Sequence, residues 1–269
     1  MTAVLLARGL AKSFGAVVAA ADLDLELRAN EIHAVIGPNG AGKTTLLGLL
    51  AGELRPDAGR IVLAGRDITP LPVHARAALG LGRTFQVSSV LPSFTVLENV
   101  AIAVQARAGS SFRFLRAAET DESLNGPARS SLDKVGLGAL ADRPASTLAH
   151  GERRLLELAM ALVQRPRVLL LDEPLAGVAP AEAEQLLALL ESLRSEMGIL
   201  LVEHDMDAVF RLADRVTVLV HGRVIASGAP AEVRRDPAVR SAYLGEDDEG
   251  AFDDRTDQLR VTGRASFRR

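Results

Sequence analysis

The segment from Gly37 to Thr45 has the residue types and spacing of a phosphate-binding loop. It fits the pattern G-x-x-x-x-G-K-[ST] and reads Gly37-Pro38-Asn39-Gly40-Ala41-Gly42-Lys43-Thr44-Thr45. Apolar runs over 32–36 and 46–50 flank it, which predicts a strand, a glycine-rich turn and a helix. Backbone N–H groups at the start of that helix suit phosphate oxygens, Lys43 can reach terminal phosphates and Thr44 can ligate Mg²⁺. We therefore expect a nucleotide-binding chain; the alternative is a glycine-rich turn that contains a lysine.

Two adjacent carboxylates, Asp172 and Glu173, follow a run that reads as a buried strand. Residues 168–171 are Val-Leu-Leu-Leu, which is typical of a strand covered on both faces. Open α/β sheets bind ligands beyond the carboxyl ends of parallel strands, so Asp172 suits Mg²⁺ and Glu173 suits an attacking water. Alone, the pair could be a solvated strand end. Together with the loop at 37–45 it predicts nucleotide hydrolysis.

Hydrophobic periodicity predicts the elements that position these residues. Residues 4–27 alternate apolar and polar side chains around a turn signal at 13–15, which predicts antiparallel strands. Strands then alternate with helices in the C-terminal part of the chain. The predicted strands are 168–171, 199–202, 215–220 and 223–226, and the predicted helices are 181–197, 206–213 and a last stretch that reaches Leu244.

The middle of the chain is predicted to be mainly helical. Thr95 to Glu98 fits a capping box that opens a helix through about Arg107. Residues 152–164 form an amphipathic pattern that stops at Pro166. The segment 109–131 is mixed in charge and fits either a surface helix or a variable loop.

Composition and charge exclude several classes of protein. The chain has 269 residues, of which 48% are hydrophobic, so it can bury a core. It has no run of about eighteen apolar residues that could span a membrane, and its N-terminus lacks the pattern of a signal peptide. With no cysteine, it has neither disulfides nor thiolate metal sites. The net charge of -3 gives no general attraction to nucleic acid. We expect a protein that stays in the cytosol.

The segment Leu148-Ala149-His150-Gly151-Glu152 resembles the signature motif of ABC-transporter ATPases. That motif usually reads Leu-Ser-Gly-Gly-Gln and precedes an apolar helix and the strand with the Asp-Glu pair. The resemblance covers residues 4 to about 245 and implies an α/β P-loop NTPase fold of the ABC ATPase type. Such a fold has a mostly parallel core sheet, an antiparallel β subdomain and a helical subdomain, here at about 86–160. The implied ATP-binding domain is 1–245, and the acidic, then arginine-containing and weakly apolar composition of 246–269 predicts a disordered tail.

Three single residues stand where the family has further motifs. Gln86 matches the Q-loop glutamine, His204 matches the switch histidine, and Phe14 matches the aromatic residue that stacks on adenine. Outside these motifs each has an ordinary alternative, which is a core position for Phe14 and a surface or core hydrogen bond for His204. The roles implied by the resemblance are metal binding by Thr44, Gln86 and Asp172, and catalysis by Glu173 and His204.

Two positions depart from the family pattern. The signature serine, which in the family donates a hydrogen bond to ATP on the partner chain, is Ala149, and the D-loop aspartate is Ala179. Losing one charge-assisted hydrogen bond costs about 1.5–3 kcal/mol if nothing replaces it. Because Lys43, Asp172 and Glu173 are present, we still expect a competent Mg²⁺-dependent ATPase.

The resemblance also implies partners. In the family, the phosphate loop of one chain faces the signature motif of a second, so two ATP-binding subunits, identical or different, enclose two ATP molecules. Integral-membrane permease subunits and a substrate-binding protein that acts through them are the further implied partners, and no nucleic acid is. The implied location is the cytoplasmic face of the inner or plasma membrane, as a peripheral subunit.

Three stretches narrow the resemblance to a class of transporter. The stretches 82–86, 202–206 and 242–246 resemble the ATP-binding subunits of importers for branched-chain or other hydrophobic amino acids. The alternatives are a urea or amide importer, a lipid or lipopolysaccharide exporter, a soluble ABC ATPase and a non-catalytic nucleotide-binding module. A single phosphate loop without a heptad stretch disfavours the soluble class, and Glu173 disfavours the non-catalytic one.

Overall fold

The computed structural model describes residues 3–84, 90–108 and 121–244, and its strands form two sheets. The strands are β1 (Ala3–Phe14), β2 (Val17–Arg28), β3 (Ile32–Ile36), β4 (Ala58–Leu63), β5 (Arg66–Asp67), β6 (Leu81–Arg83), β7 (Val168–Asp172), β8 (Gly198–Val202), β9 (Arg215–Val220) and β10 (Arg223–Gly228). The helices are α1 (Lys43–Ala51), α2 (Val73–Ala78), α3 (Val96–Ala108), α4 (Glu122–Lys134), α5 (His150–Leu162), α6 (Pro180–Leu193), α7 (Met206–Leu212), α8 (Pro230–Arg235) and α9 (Pro237–Leu244).

The smaller sheet is antiparallel and has the order β2-β1-β4-β5. Its hairpin of β1 and β2 confirms the strands predicted from the alternation over 4–27. Leu23, Leu25 and Leu27 are buried because a strand turns every second side chain to the same face.

The larger sheet has the order β10-β9-β3-β8-β7-β6. The strands β9, β3, β8, β7 and β6 run parallel, and β10 joins the edge of the sheet antiparallel to β9. Every residue of β3, β7 and β8 is buried, as expected for parallel strands covered on both faces. Asp172 is the last residue of β7 and pairs with Val202, whereas the sequence pattern ended the strand one residue earlier. The predicted mixed α/β architecture is confirmed.

The helix α1 lies between the two sheets. Its leucines are buried in one cluster with Leu25 of β2 and Leu200 of β8. Leu169 and Leu201 point to the opposite face of the larger sheet and belong to the core that contains α3, α4, α5 and α6. The molecule is therefore layered, with the helix that follows the phosphate loop at the centre.

The C-terminal end of α1 is fixed by the buried guanidinium of Arg76. Nη1 donates to the carbonyls of Leu49 and Leu50 at 2.7 Å each, Nε donates to Leu71 at 2.9 Å, and Nη2 donates to Thr69 at 3.0 Å. The last carbonyls of a helix lack partners within it and carry the negative end of its dipole. A buried cation that donates to them holds this end of α1 in place.

The helices of the middle segment explain what the sequence left open. Thr95 and Glu98 form the predicted capping box, with each side chain accepting from the other residue's backbone N–H, at 3.1 and 2.6 Å. Within 109–131 the described part belongs to α4, which Asp121 caps: its side chain accepts from the amide of Ser123 at 3.0 Å. Residues 109–120 lie outside the described ranges.

The last helical stretch differs from the single element predicted by its pattern. It consists of α8 and α9, separated at Asp236. Pro237 has no N–H to continue a helix, and the carboxylate of Asp236 accepts from the amide of Ala238 at 2.8 Å to begin the next one. Within the described ranges, no helix is both long and apolar enough to cross a bilayer.

A chain of hydrogen bonds with the buried His33 at its centre crosses the larger sheet. Its Nδ1 contacts the carbonyl oxygen of Glu26 at 3.0 Å, and its Nε2 contacts the hydroxyl of Thr217 at 2.8 Å, which in turn contacts the hydroxyl of Ser227 at 2.7 Å. A carbonyl only accepts, so Nδ1 carries the proton and Nε2 accepts from Thr217. Burial lowers the pKa of His33 from 6.5 to about 4, so its ring is neutral at pH 7.

Candidate active site

The predicted site residues lie at the carboxyl ends of neighbouring parallel strands. β3 leads into the phosphate loop, β8 leads to His204, and β7 ends at Asp172. β3 pairs with β8 on one side and with β9 on the other. The phosphate loop therefore lies at the point where the order of the strands in the sheet reverses. In open α/β sheets this is where ligands bind. The topology thus brings together residues that are far apart in sequence.

The phosphate loop enters α1 through a glycine in the left-handed region. Gly42 precedes the helix with φ 102°, and no side chain caps the first turn. The first amides of a helix have no carbonyl partner within it, so those of Lys43, Thr44 and Thr45 can receive a ligand. The ammonium of Lys43 donates to the carbonyls of Gly37 and Pro38 at 2.6 and 3.1 Å, across the mouth of the loop.

Close packing requires glycine at two positions of this loop. A Cβ on Gly37 would overlap the carbonyl oxygen of Leu219, and a Cβ on Gly42 would overlap that of Ala19. The carbonyl of Ala41 also accepts from the amide of Gly222, at 2.9 Å. The loop is therefore held against β2 and the β9–β10 turn, and its conformation depends on both sheets.

The tip of the loop is open to solvent. Asn39, Gly40 and Thr44 are exposed and Thr45 is half-buried, whereas Ala41 is buried. Gly40 has φ 77°, which places the tip in a conformation that favours glycine. Asn39, Gly40 and Thr44 of the loop are thus accessible to a ligand.

Asp172 is a buried carboxylate at the end of β7. Its side chain is inaccessible to solvent, and within the described ranges neither carboxylate oxygen has a hydrogen-bond partner. The nearest cation is Arg83, whose Nη2 lies 3.6 Å from Oδ2. Burial raises the pKa of Asp172 above its ordinary value, the charges of Arg83 and Lys43 oppose the increase, and that of Glu173 adds to it. A buried carboxylate without hydrogen bonds favours binding a cation.

Glu173 has an unusual backbone. Its φ is 47°, in the left-handed region, although it is not glycine and precedes Pro174. Such a conformation costs of order 1–3 kcal/mol and is concentrated at functional sites. The amide of Glu173 donates to the carbonyl of Val202 at 2.9 Å, which fixes the turn after β7 to β8. The side chain is half-buried.

His204 is exposed, and the buried carboxylate next to it holds its backbone. The His204 side chain is 65% exposed, which rules out a core position, and its Nδ1 lies 3.8 Å from Glu203. The carboxylate of Glu203 accepts from the amides of His204 at 3.0 Å and Leu175 at 2.8 Å. Burial raises the pKa of Glu203, and these backbone donors oppose the shift. The sequence predicted no separate role for Glu203, which was named only within the stretch 202–206. The feature that could have identified it is a charged residue directly after an apolar strand.

Phe14 lies at the β1–β2 turn with an exposed ring. It is 48% exposed, so the core interpretation is wrong, and neighbouring Val17 and Val18 are also exposed. The ammonium of Lys12 lies 5.6 Å from the centre of the ring. An exposed aromatic face beside a cation suits stacking on a planar base.

The signature segment forms the start of α5. Leu148 is buried, Ala149 is the N-cap residue, and the helix begins at His150, before the residue 152 given by the pattern. The carboxylate of Glu152 accepts from the amide of Ala149 at 2.8 Å, but alanine has no oxygen to return the contact. Only half of a capping box is present, so first-turn amides of α5 remain available to a ligand.

His150 and Gly151 contact the segment that follows the Asp-Glu pair. His150 Nε2 lies 3.2 Å from the carbonyl oxygen of Ala176, and a Cβ on Gly177 would come within 3.3 Å of the same nitrogen. Gly151 lies against Glu182, whose carboxylate accepts from the amide of Ala179 at 3.3 Å. The signature segment and the D-loop are thus packed together within one chain.

One predicted site residue cannot be placed. Gln86 lies outside the described residues, which end at Thr84 and resume at Val90. Apart from Phe14 at the β1–β2 turn, the remaining predicted residues form two groups. The first is the phosphate loop with the ends of β7 and β8, and the second is the signature segment with the D-loop.

The first group fits a magnesium ion that binds with a nucleotide. Within the described ranges no cluster of three or more His, Cys, Asp or Glu side chains could hold a metal ion by itself. Mg²⁺ at phosphates usually takes only one or two protein ligands. The unpartnered oxygens of Asp172 and the accessible hydroxyl of Thr44 are hard oxygen donors of that kind.

Comparison with solved structures identifies the class. A nucleotide-free ATP-binding cassette from an ABC transporter has a TM-score of 0.81 and 29% identity, covering 91% of this chain and 100% of that one. The ADP conformation of an ATP-binding cassette has a TM-score of 0.82 at 29% identity, with the same coverage. The fold is that of an ATP-binding cassette.

Sequence relatives give the family. A profile of the ABC transporter family matches residues 20–176, and one of branched-chain amino acid ATP-binding cassette transporters matches 223–249. The chain therefore belongs to the ABC transporter family. The high-affinity branched-chain amino acid transport ATP-binding protein LivG of Salmonella typhimurium is 40% identical over 255 residues, covering 90% of this chain and 98% of that protein.

Two further relatives cover nearly the same length. BraF of Pseudomonas aeruginosa, also a branched-chain amino acid transport ATP-binding protein, is 38% identical, covering 90% of this chain and 98% of that protein. The lipopolysaccharide export protein LptB of Acidithiobacillus ferridurans is 36% identical, covering 91% of this chain and 98% of that protein. The resemblance to LivG-type subunits predicted from the motifs is confirmed.

Proposed function

We propose that this chain binds and hydrolyses ATP to energise an importer of branched-chain or other hydrophobic amino acids. The observation that carries the ATPase part is the convergence of the phosphate loop, the Asp172-Glu173 pair and His204 at the ends of β3, β7 and β8. The substrate part is supported by the LivG and BraF relatives and by the family match over 223–249.

The nucleotide is held at both ends. First-turn amides of α1 donate to phosphate oxygens, with the helix dipole favouring their charge. Lys43 exchanges its carbonyl contacts with Gly37 and Pro38 for the terminal phosphates, since a charged acceptor binds more strongly than a neutral one. The exposed ring of Phe14 stacks on adenine.

Mg²⁺ would be held by Thr44, Asp172 and Gln86, and its charge would stabilise the negative charge of the phosphates. Among these residues, Asp172 would be affected most by the bound ion. Its desolvated carboxylate has no hydrogen bond among the described residues, so a cation there lowers the free energy of the site.

Glu173 acts as the general base. Its carboxylate takes a proton from water while the water oxygen attacks the γ-phosphorus, and the bond from that phosphorus to the β–γ bridging oxygen breaks. ADP and phosphate leave. The left-handed backbone at Glu173 and the hydrogen bond from its amide to Val202 define the backbone position from which the carboxylate projects. His204, held at its amide by Glu203, contacts the γ-phosphate from the next strand.

A second subunit completes the site. His150 and Gly151 present first-turn amides that have no hydrogen-bond partner within the described residues, the kind of group that binds a phosphate on a facing chain. Two subunits then close around two ATP molecules, and hydrolysis removes the contacts that hold them closed. The chain works as a peripheral subunit at the cytoplasmic side of the membrane.

A groove in this chain suits contact with a permease. It has a volume of about 520 Å³ and lies between α2, β6, α3 and α5. Its apolar lining includes Val73, Leu81, Ala103 and Met160. Thr84, which is two residues before Gln86 in the sequence, lines the groove, so a permease helix seated there would sense changes at the nucleotide.

One alternative keeps the ATPase and changes the transporter. The LptB relative, at 36% identity, favours lipopolysaccharide export as the second candidate. Deleting the gene and measuring uptake of radiolabelled leucine, isoleucine and urea separates the candidates. Loss of leucine and isoleucine uptake supports the proposal, whereas normal uptake with a defective outer membrane supports export. Purified subunit without Mg²⁺-dependent ATP turnover, alone and with its permease, contradicts the ATPase itself.

A further inference from the structure

The guanidinium of Arg83 bridges two carboxylates at the edge of the candidate metal site. Arg83 is the last residue of β6, and its side chain is only 9% exposed. Nη1 lies 2.5 Å from Glu53, just beyond α1, and Nη2 lies 3.6 Å from Asp172. In the strand register Arg83 pairs with Leu170, so Arg83 and Asp172 point to the same face of the sheet, towards α1. Sequence reasoning gave Arg83 no role.

The two contacts differ in kind. The contact to Glu53 is a short charge-assisted hydrogen bond, whereas 3.6 Å to Asp172 is too long for a hydrogen bond and is an ion pair only. Asp172 is nevertheless the more buried carboxylate. The cation nearest the proposed metal ligand is thus attached firmly to a second acid and loosely to Asp172.

We propose that Arg83 takes the place of Mg²⁺ beside Asp172 in the nucleotide-free chain, and that Glu53 sets the Mg²⁺ affinity by drawing Arg83 away. This inference rests on the proposed role of Asp172 as a metal ligand. Two cations cannot share one buried carboxylate without repulsion, which is strong where water is excluded. Arg83 therefore compensates Asp172 before the metal arrives and opposes the metal once it binds.

Substitutions of Arg83 and of Glu53 are expected to have opposite effects. Arg83→Met removes the competing cation, so Mg²⁺ increases the affinity for the nucleotide by a larger factor. Glu53→Gln removes the charge that holds Arg83 back, so the guanidinium moves onto Asp172 and weakens the effect of Mg²⁺. If Arg83 only stabilised the fold, the two substitutions would not change the effect of Mg²⁺ in opposite directions.

The measurement is the affinity of a fluorescent, non-hydrolysable ATP analogue, in EDTA and in saturating Mg²⁺. The ratio of the two affinities reports the metal and cancels general effects on the loop. We expect the ratio to rise about threefold or more in Arg83→Met and to fall by a similar factor in Glu53→Gln, as expected for one charge a few ångströms away. Arg215→Met is the matched control. Arg215 forms a 3.0 Å ion pair with Glu31 at the amino ends of β9 and β3, whereas the candidate site lies at the carboxyl ends of the strands.

The outcomes separate the inference from the proposed function. Asp172→Asn lowers the ratio towards one if Asp172 serves the metal; an unchanged ratio there overturns the metal assignment itself. If Asp172→Asn lowers the ratio but Arg83→Met leaves it unchanged or lowers it, the inference on Arg83 is wrong and the proposed function stands. If Arg83→Met does not fold, Glu53→Gln decides, and an unchanged or increased ratio overturns the inference.

Discussion

The carboxylate of Glu203 accepts a hydrogen bond from the backbone amide of Leu175 at 2.8 Å. Leu175 follows the Asp-Glu pair at the end of β7, and Glu203 follows β8, so one buried side chain joins the loops of two strands. The same carboxylate holds the amide of His204 at 3.0 Å. The position of the proposed switch histidine thus depends on a buried acid.

Replacing Glu203 by glutamine will loosen this junction. Both carboxylate oxygens accept from backbone N–H groups, and an amide nitrogen in place of one oxygen leaves a buried donor facing a donor. We expect a loss of about 1–3 kcal/mol in the free energy of unfolding and a reduced rate of ATP turnover. Urea denaturation and a steady-state ATPase assay measure the two effects. Glu232→Gln, which alters an exposed capping contact at Ala229, is the control and will change both little. If Glu203→Gln is as stable as the wild type, Glu203 does not hold the loops after β7 and β8 together.

Glu173→Gln will stop hydrolysis while leaving ATP binding intact. The amide cannot accept the proton of the attacking water, and general-base catalysis contributes about 10²–10⁴-fold. We expect ATP-dependent dimers that persist, seen by light scattering after size-exclusion chromatography. Glu184→Gln removes an exposed partner of Arg211 and serves as the control. Unchanged turnover, or monomers only in the presence of ATP, contradicts the proposed role.

Ala149→Ser will separate two functions of the signature segment. At the N-cap of α5, serine completes the capping box with Glu152 and stabilises the monomer by about 1 kcal/mol. It also restores a hydroxyl towards the nucleotide of the facing chain. We expect dimers of the Glu173→Gln background to tighten by about tenfold or more, as for a hydrogen bond to a charged group.

Ala229→Ser supplies the control for this pair of effects. Ala229 is the N-cap of α8 and likewise has a glutamate three residues later, whose carboxylate accepts from its amide at 3.2 Å. It should gain the same monomer stability without any change in dimer affinity. Equal dimer affinities with and without Ala149→Ser in the Glu173→Gln background would show that the segment does not meet a partner's ATP.

His33 makes the protein sensitive to acid. Burial lowers its pKa from 6.5 to about 4, so protonation favours the unfolded state. The stability that depends on a neutral His33 is complete above about pH 6.5 and is lost as the pH falls towards 4. The loss amounts to roughly 3 kcal/mol. Urea denaturation between pH 7 and 4.5 measures it.

Two substitutions test the origin of that slope. His33→Gln removes the titrating group, so we expect lower stability at pH 7 and a shallower decline between pH 6.5 and 4.5. His74→Gln, at an exposed position on α2, keeps the wild-type slope. If His33→Gln declines as steeply as the wild type, another group controls the acid sensitivity.

Local patterns were enough to predict the elements that carry the site. The loop from Gly37 to Thr45 lies between an apolar strand and an apolar helix, and the pair Asp172-Glu173 closes a strand of four apolar residues. Such signals depend on neighbours in sequence, so they can be recognised without knowledge of the fold. The family resemblance then implied the mostly parallel sheet and the two subdomains into which these elements assemble.

Long-range contacts could not be predicted in this way. The ion pair of Arg83 with Asp172 depends on the register of β6 and β7, and the hydrogen bond of His150 to Ala176 depends on how α5 meets the loop after β7. Arg76 would have been judged a surface residue, yet it is buried at the end of α1. Polar residues of this kind carry no periodicity that reveals their partners.

The strand that leads into the phosphate loop is completed only by the far end of the chain. β3 pairs with β8 and β9, and His33 contacts Thr217, 184 residues later. Closing so long a segment is slow, whereas α3, α4 and α5 pack on one another with much shorter separations. During synthesis the phosphate motif leaves the ribosome early but acquires its sheet late. An incomplete chain therefore carries the sequence for ATP binding without the binding site, and the nucleotide becomes a ligand of the finished protein only.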